Sequence, residues 1–126
     1  MSGPSILVAS PVRPLRRALT AFLKNIPGIQ QVDSCADLAA LLVALETRRR
    51  DVVVLDADTV DAQAPISIAN LLMRLRRQYP ELTVIALVDS ATQEALCLTA
   101  GAGYALHKGQ LDTRLAQAVL AHNCKN

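Results

Sequence analysis

Several polar residues that could do chemistry follow directly on the most apolar runs of the chain. Asp56 and Asp58 come after Val-Val-Val-Leu, Ser10 after Ser-Ile-Leu-Val-Ala, and Lys108 after Tyr-Ala-Leu-His. A hydroxyl can act as a nucleophile, neighbouring carboxylates can bind a metal, and a lysine can neutralise a carboxylate. These side chains form a candidate site if the fold brings the ends of the apolar runs together.

Three common kinds of site lack their sequence signals. Ser10 is not in a G-x-S-x-G context and has no evident histidine partner, which argues against a hydrolase. The loop 10–14 contains no glycine, whereas dinucleotide and P-loop sites need glycine-rich loops. Cys35, Cys97 and Cys124 form no pair with metal-ligand spacing and are expected to be free thiols. The sequence therefore predicts no enzyme, no cofactor and no metal site.

The composition is typical of one folded domain. A chain of 126 residues can bury one hydrophobic core, and 52% of the residues are apolar but only 2% aromatic, so Leu, Val, Ile and Ala must fill that core. A charged fraction of 19% with a formal net charge of +2 is not that of a highly charged disordered chain. We expect a single domain over residues 1–126, with an ordered core from about residue 5 to residue 122.

The arginines are grouped at residues 13–17, 48–50 and 74–77. The second and third groups follow helical patterns, where cations oppose the helix dipole, so we expect helix ends and solvated faces rather than a nucleic-acid-binding patch. No secretory signal and no apolar run long enough to span a bilayer is visible in the sequence. The expectation is a soluble cytoplasmic domain that binds neither nucleic acid nor membrane directly.

Apolar periodicity predicts alternating strands and helices. Branched apolar runs predict buried strands at residues 5–9, 29–32, 51–56, 82–88 and 104–107. Helical spacing predicts helices at residues 15–26, from 34 to the arginines at 48–50, and at 66–79, 90–100 and 111–122. Ser34, with Asp37 three residues later, is predicted to cap the second helix. Five strands alternating with five helices predict a doubly wound parallel α/β sheet.

In such a sheet, ligands collect at the carboxyl ends of the strands, near the point where the strand order reverses. The loops after strands one, three, four and five are therefore expected to form one site. That site would contain residues 10–11, 56–58, 88–89 and 107–108.

Three segments, in their order and spacing, carry a family resemblance. Asp51-Val-Val-Val-Leu-Asp56, Arg16-Arg17-Ala18-Leu19 with Leu23, and the run from Gly101 to Lys108 resemble the third strand, the first helix and the lysine-terminated run of bacterial response-regulator receiver domains. The match is closest to the receivers of LuxR/NarL-type transcription regulators and covers about Ser5 to His122. It implies a flavodoxin-like fold with strand order 2-1-3-4-5. It also implies that Asp56 stands at the phospho-acceptor position and Lys108 at the position of the invariant lysine.

The chain departs from that family where active receivers hold an acidic pair that binds magnesium together with the acceptor aspartate. The corresponding positions here are Ser10 and Pro11. Magnesium prefers carboxylate oxygens in near-octahedral geometry, and neither a hydroxyl nor a proline ring supplies negative charge. Without a metal, the repulsion between the attacking carboxylate and the phosphoryl group is unscreened. We expect phosphotransfer to be badly impaired.

Two further departures concern the switch residues of the family. Active receivers end strand four with Ser or Thr, whereas the strand pattern places Val88 there and counting back from Gly101 gives Ala86; Ser90 stays open through a local shift. The aromatic switch position holds Ala105, and Tyr104 is one residue away, on the opposite face of a strand. The usual relay from hydroxyl to aromatic ring is expected to be absent.

The charge of Asp56 then needs a partner other than a metal. Lys108 could form a permanent ion pair with Asp56 in place of the lysine–phosphate contact. Arg13 competes, because a cation early in a helix needs a compensating anion. Asp58 is a further candidate for this internal ion-pair network. The hypothesis is that Arg13 or Lys108 neutralises Asp56 without metal.

With an inert pocket, the surface would carry the function. The expected role is a phosphorylation-independent protein-interaction or dimerisation module in bacterial signalling or transcription regulation. Its DNA-binding output domain, inferred from family habit, would lie outside this chain. Receivers commonly signal through helix four, strand five and helix five, and a self-complementary dimer face there would suit two-fold symmetry. The residues proposed for that face are Leu96, Leu111, Leu115 and Val119.

Three alternatives stay open from the sequence. The domain could be a still-phosphorylatable receiver, with Asp56 as acceptor and Asp58 or Asp61 in a rearranged magnesium site. It could be the receiver-like domain of a pilus-assembly ATPase. It could also be a small-molecule-binding domain on a flavodoxin-like sheet, although no glycine-rich phosphate loop supports that function.

Overall fold

Strands and helices alternate along the chain. The computed structural model describes residues 3–29, 31–61 and 63–124, with the side chains at 112 and 122–124 excepted. Within this part the strands are β1 (Ser5–Ala9), β2 (Gln31–Cys35), β3 (Val52–Asp56), β4 (Thr83–Val88) and β5 (Tyr104–His107). The helices are α1 (Arg13–Lys24), α2 (Leu38–Thr47), α3 (Ile68–Gln78), α4 (Ala91–Ala100) and α5 (Asp112–Cys124). Single 3-10 turns follow β3 and β5.

The described strands form one parallel five-stranded sheet in the order β2-β1-β3-β4-β5. The predicted doubly wound α/β fold and its strand order are therefore confirmed. The order reverses between β1 and β3, so the loops after these two strands open at the switch point, where such sheets bind ligands. Residues 10–11 and 56–58 lie in those loops.

The core has two layers, one on each face of the sheet. Every residue of β3 is buried, as expected for a central strand covered on both faces. Helices α2, α3 and α4 cover one face, with Leu41, Leu71 and Cys97 packed against alternate residues of the strands. Helices α1 and α5 cover the other, through Leu23 and Leu115. No helix among the described residues is long and apolar enough to cross a membrane.

The predicted boundary between the second strand and the second helix is wrong. Ser34 does not cap α2; it lies in β2, where it pairs with Val8. The helix begins at Leu38, and the N-cap is Asp37, whose carboxylate accepts a hydrogen bond from the Ala40 N–H at 2.8 Å. Parallel pairing with β1 extends β2 as far as Cys35. Ser34 and Cys35, which the local capping pattern assigned to the helix, therefore belong to the strand.

The arginines after α2 do not act as predicted, whereas those of α3 do. Arg76 and Arg77 lie in the last turn of α3, where they oppose the helix dipole. Helix α2 has no basic residue in its last turn, because the backbone is already extended at Arg48. Arg48 and Arg50 instead pair with Asp33 on β2. These cations therefore link strand β2 to the segment before β3.

Candidate functional site

The fold brings Ser10, Asp56 and Lys108 together at the carboxyl edge of the sheet. Ser10 follows β1, Asp56 is the last residue of β3, and Lys108 follows β5. Asp56 is fully buried, and its carboxylate caps the 3-10 turn that begins at Ala57, accepting a hydrogen bond from the Asp58 N–H at 2.9 Å. The sharp turn after β3 thus aims this carboxylate back into the protein.

Both oxygens of the Asp56 carboxylate are bonded to protein groups. Oδ1 lies 2.7 Å from Lys108 Nζ and also accepts from the Asp58 N–H. Oδ2 accepts a hydrogen bond from Ser10 Oγ at 2.8 Å. A completely buried carboxylate is costly unless it is paired and hydrogen-bonded, and here one cation and two neutral donors meet that need. The acceptor-position aspartate is therefore satisfied by the chain itself.

Hydrogen bonds from neighbouring segments to the backbone of Ser10 hold this residue in place. It is fully buried; its N–H donates to the Cys35 carbonyl at 3.1 Å, and its carbonyl accepts from Arg16 Nη1 at 2.8 Å. Its Oγ accepts from the Val12 N–H at 3.2 Å, so the hydroxyl proton is directed to Asp56. Ser10 thus serves as a fixed donor to a carboxylate, and the exposed Pro11 beside it adds no polar group.

Lys108 lies among three carboxylates. Its ammonium nitrogen is 2.7 Å from Asp56 Oδ1, 2.9 Å from Asp58 Oδ2 and 3.2 Å from Asp89 Oδ2. An ammonium has three N–H donors, and each of these carboxylates can take one. Sequence reasoning placed Asp89 in the loop after β4 but gave it no role. Its position immediately after a buried strand was the available signal.

Magnesium does not fit the residues at this edge. The positions of the family's acidic pair hold Ser10 and Pro11, which supply no carboxylate, and the ammonium of Lys108 takes the place between Asp56 and the loop carboxylates. Among the described residues, no group of three or more His, Cys, Asp or Glu side chains is arranged to hold a metal ion.

The pKa of Lys108 is raised by this environment. Burial alone lowers the pKa of an ammonium, but the hydrogen bonds to Asp56, Asp58 and Asp89 outweigh burial and hold the pKa of Lys108 well above its usual value. Lys108 therefore stays charged at every pH at which the domain would work.

This shift makes a prediction for alkaline unfolding. Because folding raises the pKa of Lys108 above the 10.5 of a free lysine, its stabilisation is complete below pH 10.5 and declines as the pH rises towards the folded-state value. We expect the difference in unfolding free energy between wild type and Lys108→Met to be constant near neutrality and to shrink above pH 10.5. Urea unfolding across this range measures it. A difference that does not change with pH would contradict the assignment.

Arg13 is not a partner of Asp56. It lies at the start of α1 with its side chain exposed, and it forms no ion pair with a described residue. The hypothesis that Arg13 or Lys108 neutralises Asp56 is thereby narrowed to Lys108. The physical reason is the direction of the two backbone segments. Helix α1 begins outside the cleft, so the Arg13 side chain faces solvent. Strand β5 ends at the cleft, so Lys108 lies beside Asp56.

The residues at the family's switch positions are small or apolar. Ala86 pairs with Ala105 across β4 and β5, and Val88 pairs with His107; Ala86, Ala105 and Val88 are buried on the sheet face covered by α2–α4. Ser90 caps helix α4 by accepting from the Gln93 N–H at 3.1 Å. Within the described cleft, none of these positions presents a hydroxyl to Asp56.

The residues proposed for a dimer face divide into two groups. Leu115 and Val119 are completely buried in the core against the sheet, so the prediction that they lie on a dimer face is wrong. The apolar stripe of α5 faces inward because the helix must cover the sheet. Leu96 on α4 is 45% exposed, and Leu111 is half-buried. Only these two of the four residues remain available to a partner.

The described cysteines are structural. Cys35 is half-buried and Cys97 buried, and both are free. Burial, together with the nearby Asp37, raises the pKa of the Cys35 thiol to about 11, and burial also raises the pKa of Cys97. Neither is a thiolate at neutral pH. The side chain of Cys124 lies outside the described residues.

Structural comparison shows that the chain is similar to response-regulator receiver domains. Neither a protein-family model nor a curated protein matches the sequence. Among solved structures, the receiver domain of Francisella response regulator 1452 is similar with a TM-score of 0.77 and 26% identity over 98% of both chains. A LuxR-family DNA-binding response regulator from Staphylococcus aureus gives a TM-score of 0.77 at 15% identity over 95% of this chain and 98% of that one.

The response regulator RcsB of Salmonella typhimurium is similar over the whole of this chain, with a TM-score of 0.85 and 19% identity. The chain spans 62% of the length of that protein. The parallel sheet with order β2-β1-β3-β4-β5 agrees with these similarities. The chain has the fold of response-regulator receiver domains.

Proposed function

We propose that this receiver is a regulatory, non-catalytic domain that acts without phosphorylation, as a cytoplasmic module that binds a protein partner or a second copy in bacterial signalling or transcription regulation. One observation carries the proposal. The carboxylate at the acceptor position is buried, neutralised by Lys108 and hydrogen-bonded by Ser10 in the chain's own structure.

The chemistry of the cleft supports this function. An aspartate accepts a phosphoryl group only if the charge between two anions is screened, and in two-component receivers a divalent cation does this. Here Lys108 supplies one positive charge, which Asp56 shares with Asp58 and Asp89. A single shared ammonium leaves the cleft net negative. An incoming phosphoryl group would meet three carboxylates and one cation.

Labelling with acetyl phosphate tests the proposal. The domain is incubated with acetyl phosphate and magnesium, and its intact mass is measured beside a receiver that has the acidic pair. We expect no phosphoryl adduct on this domain, and no difference from the Asp56→Asn variant, which removes the carboxylate but keeps its shape. A phosphoryl adduct that disappears in Asp56→Asn would overturn the proposal and support the phosphorylatable alternative.

The output of the domain is part of the same proposal. RcsB is a response regulator that interacts with DNA, and this chain spans 62% of the length of that protein. We propose that a DNA-binding output domain is joined to this receiver, and that the receiver itself contacts protein. The exposed Leu96 on α4 is the candidate for that contact.

A further inference from the structure

A cleft lies at the end of the sheet opposite to Asp56. It opens between the carboxyl ends of α2 and α3 and the segment that leads into β4, and it has a volume of about 280 Å³. Its apolar wall is formed by Leu45, Tyr79 and Leu82. Ligand pockets commonly measure about 300–1,000 Å³, so this cleft suits a compact ligand. No part of it belongs to the site around Asp56.

Arg50 lines the cleft and has an unused donor. Its side chain is only 6% exposed, and Nη1 is held by Asp33 on β2. Its Nε is buried and has no hydrogen-bond partner among the described residues. The guanidinium edge formed by Nε and Nη2 is one of the two forks that bind a carboxylate bidentately, and it lies away from the nitrogen that Asp33 uses. A buried donor without an acceptor is costly, so an acceptor there would be favoured.

A second guanidinium lies at the mouth of the cleft. Arg49 lines the opening and contacts Glu81 at 3.4 Å, with side chains that are 78% and 85% exposed. Exposed ion pairs of this kind contribute little, so Arg49 can leave Glu81 at small cost. The cleft thus combines an apolar wall with two guanidinium groups, that of Arg50 paired with Asp33 and that of Arg49 exposed at the mouth.

We propose that this cleft binds a small organic acid. Its carboxylate would contact Arg50 through the Nε edge and Arg49 at the mouth, and a flat apolar body of about one ring would cover Leu45, Tyr79 and Leu82. Nε is covered in this structure, so the proposed contact requires the guanidinium of Arg50 to turn towards the cleft, in competition with its contact to Asp33. A bare inorganic anion would leave the apolar wall in contact with water, so it should bind more weakly than an organic acid. The inference is independent of the state of Asp56, which lies at the other end of β3.

Binding of benzoate tests the inference, with benzamide as the neutral probe of the same shape. Backbone amide NMR spectra are recorded during titration of the wild-type domain with each compound. We expect benzoate to shift the amides of residues 45–50 and 78–82, and benzamide to bind about tenfold more weakly, since a bond to a charged group is lost. Equal binding of the two, shifts elsewhere, or no shift at millimolar benzoate would each overturn the inference.

Two variants separate recognition from folding. Arg50→Lys keeps the charge but removes the fork, and we expect benzoate to bind it about tenfold more weakly. Asp33→Asn removes the carboxylate that competes for Arg50 and leaves the fork of Arg50 intact, so benzoate should bind this variant at least as tightly as wild type. Unchanged affinity in Arg50→Lys would refute the inference. Because acetyl phosphate labelling is read separately, a failure here leaves the proposed function standing.

Discussion

Replacing Lys108 with methionine is expected to lower the free energy of unfolding by about 3–5 kcal/mol. The substitution keeps the length of the aliphatic stem but removes the ammonium that lies 2.7 Å from the fully buried Asp56. Asp56 is then left as an uncompensated buried charge near Asp58 and Asp89. Urea unfolding at neutral pH measures the loss.

Two other variants show whether the loss comes from the charge. Lys24→Met removes an exposed lysine from the last turn of α1 and should change the unfolding free energy by no more than about 0.5 kcal/mol. Asp56→Asn in the Lys108→Met background should recover part of the loss, since the unpaired buried anion is gone. If Lys108→Met loses less than about 1 kcal/mol, the ion pair does not hold the cleft together.

Restoring two carboxylates after β1 is expected to make the domain depend on magnesium. In the double variant Ser10→Asp, Pro11→Asp, a carboxylate replaces the hydroxyl that donates to Asp56 Oδ2 at 2.8 Å. Without metal, the adjacent anions should lower the free energy of unfolding by about 3–5 kcal/mol. Magnesium at a hundred times its dissociation constant should return about 2.7 kcal/mol. Thermal unfolding with and without magnesium measures both effects.

The wild-type domain and Ser10→Ala serve as its controls. Ser10→Ala loses the donor to Asp56 without adding charge, so we expect a loss of about 1–3 kcal/mol that magnesium does not reverse. The wild type should show no specific stabilisation by magnesium. If magnesium stabilises wild type as much as the double variant, the argument that Ser10 and Pro11 remove the metal site is wrong.

The central elements were predictable because their signals are local. The run at 52–55 is apolar at every position, which is typical of a strand covered on both faces. The alternation of such runs with helical spacing left few topologies to consider. Asp56 and Lys108 follow two of these runs, so parallel strands alone predicted that they share one edge of the sheet. Their roles beyond that geometry stay proposals.

The boundary of β2 was not predictable from local pattern. Ser34 and Asp37 are both residues that cap helices well, and their spacing resembles a capping box. Because Ser34 pairs with Val8 in the sheet, Asp37 is the residue that caps α2. Hydrogen bonds to a neighbouring strand are a long-range contribution that no window of sequence contains.

The residues proposed for a dimer face show the same limit of local sequence pattern, here for helices. Leu115 and Val119 lie on the apolar stripe of α5, and a stripe indicates only that one face of the helix is covered. The sheet covers it here, so both residues are in the core. Leu96 lies on a helix with weak amphipathic pattern, and only the packing of α4 shows that it is exposed.

The sequence by itself determined the fold class, the strand order by resemblance, and the loss of carboxylates at Ser10 and Pro11, because these depend on residue type and periodicity. Only the tertiary structure decided which cation neutralises Asp56, that Asp89 joins Lys108, and that Arg50 keeps an unpaired donor. Ion pairs form over a few ångströms between residues far apart in the chain. Their choice of partner depends on the direction in which each backbone segment enters the cleft, which spacing along the sequence does not contain.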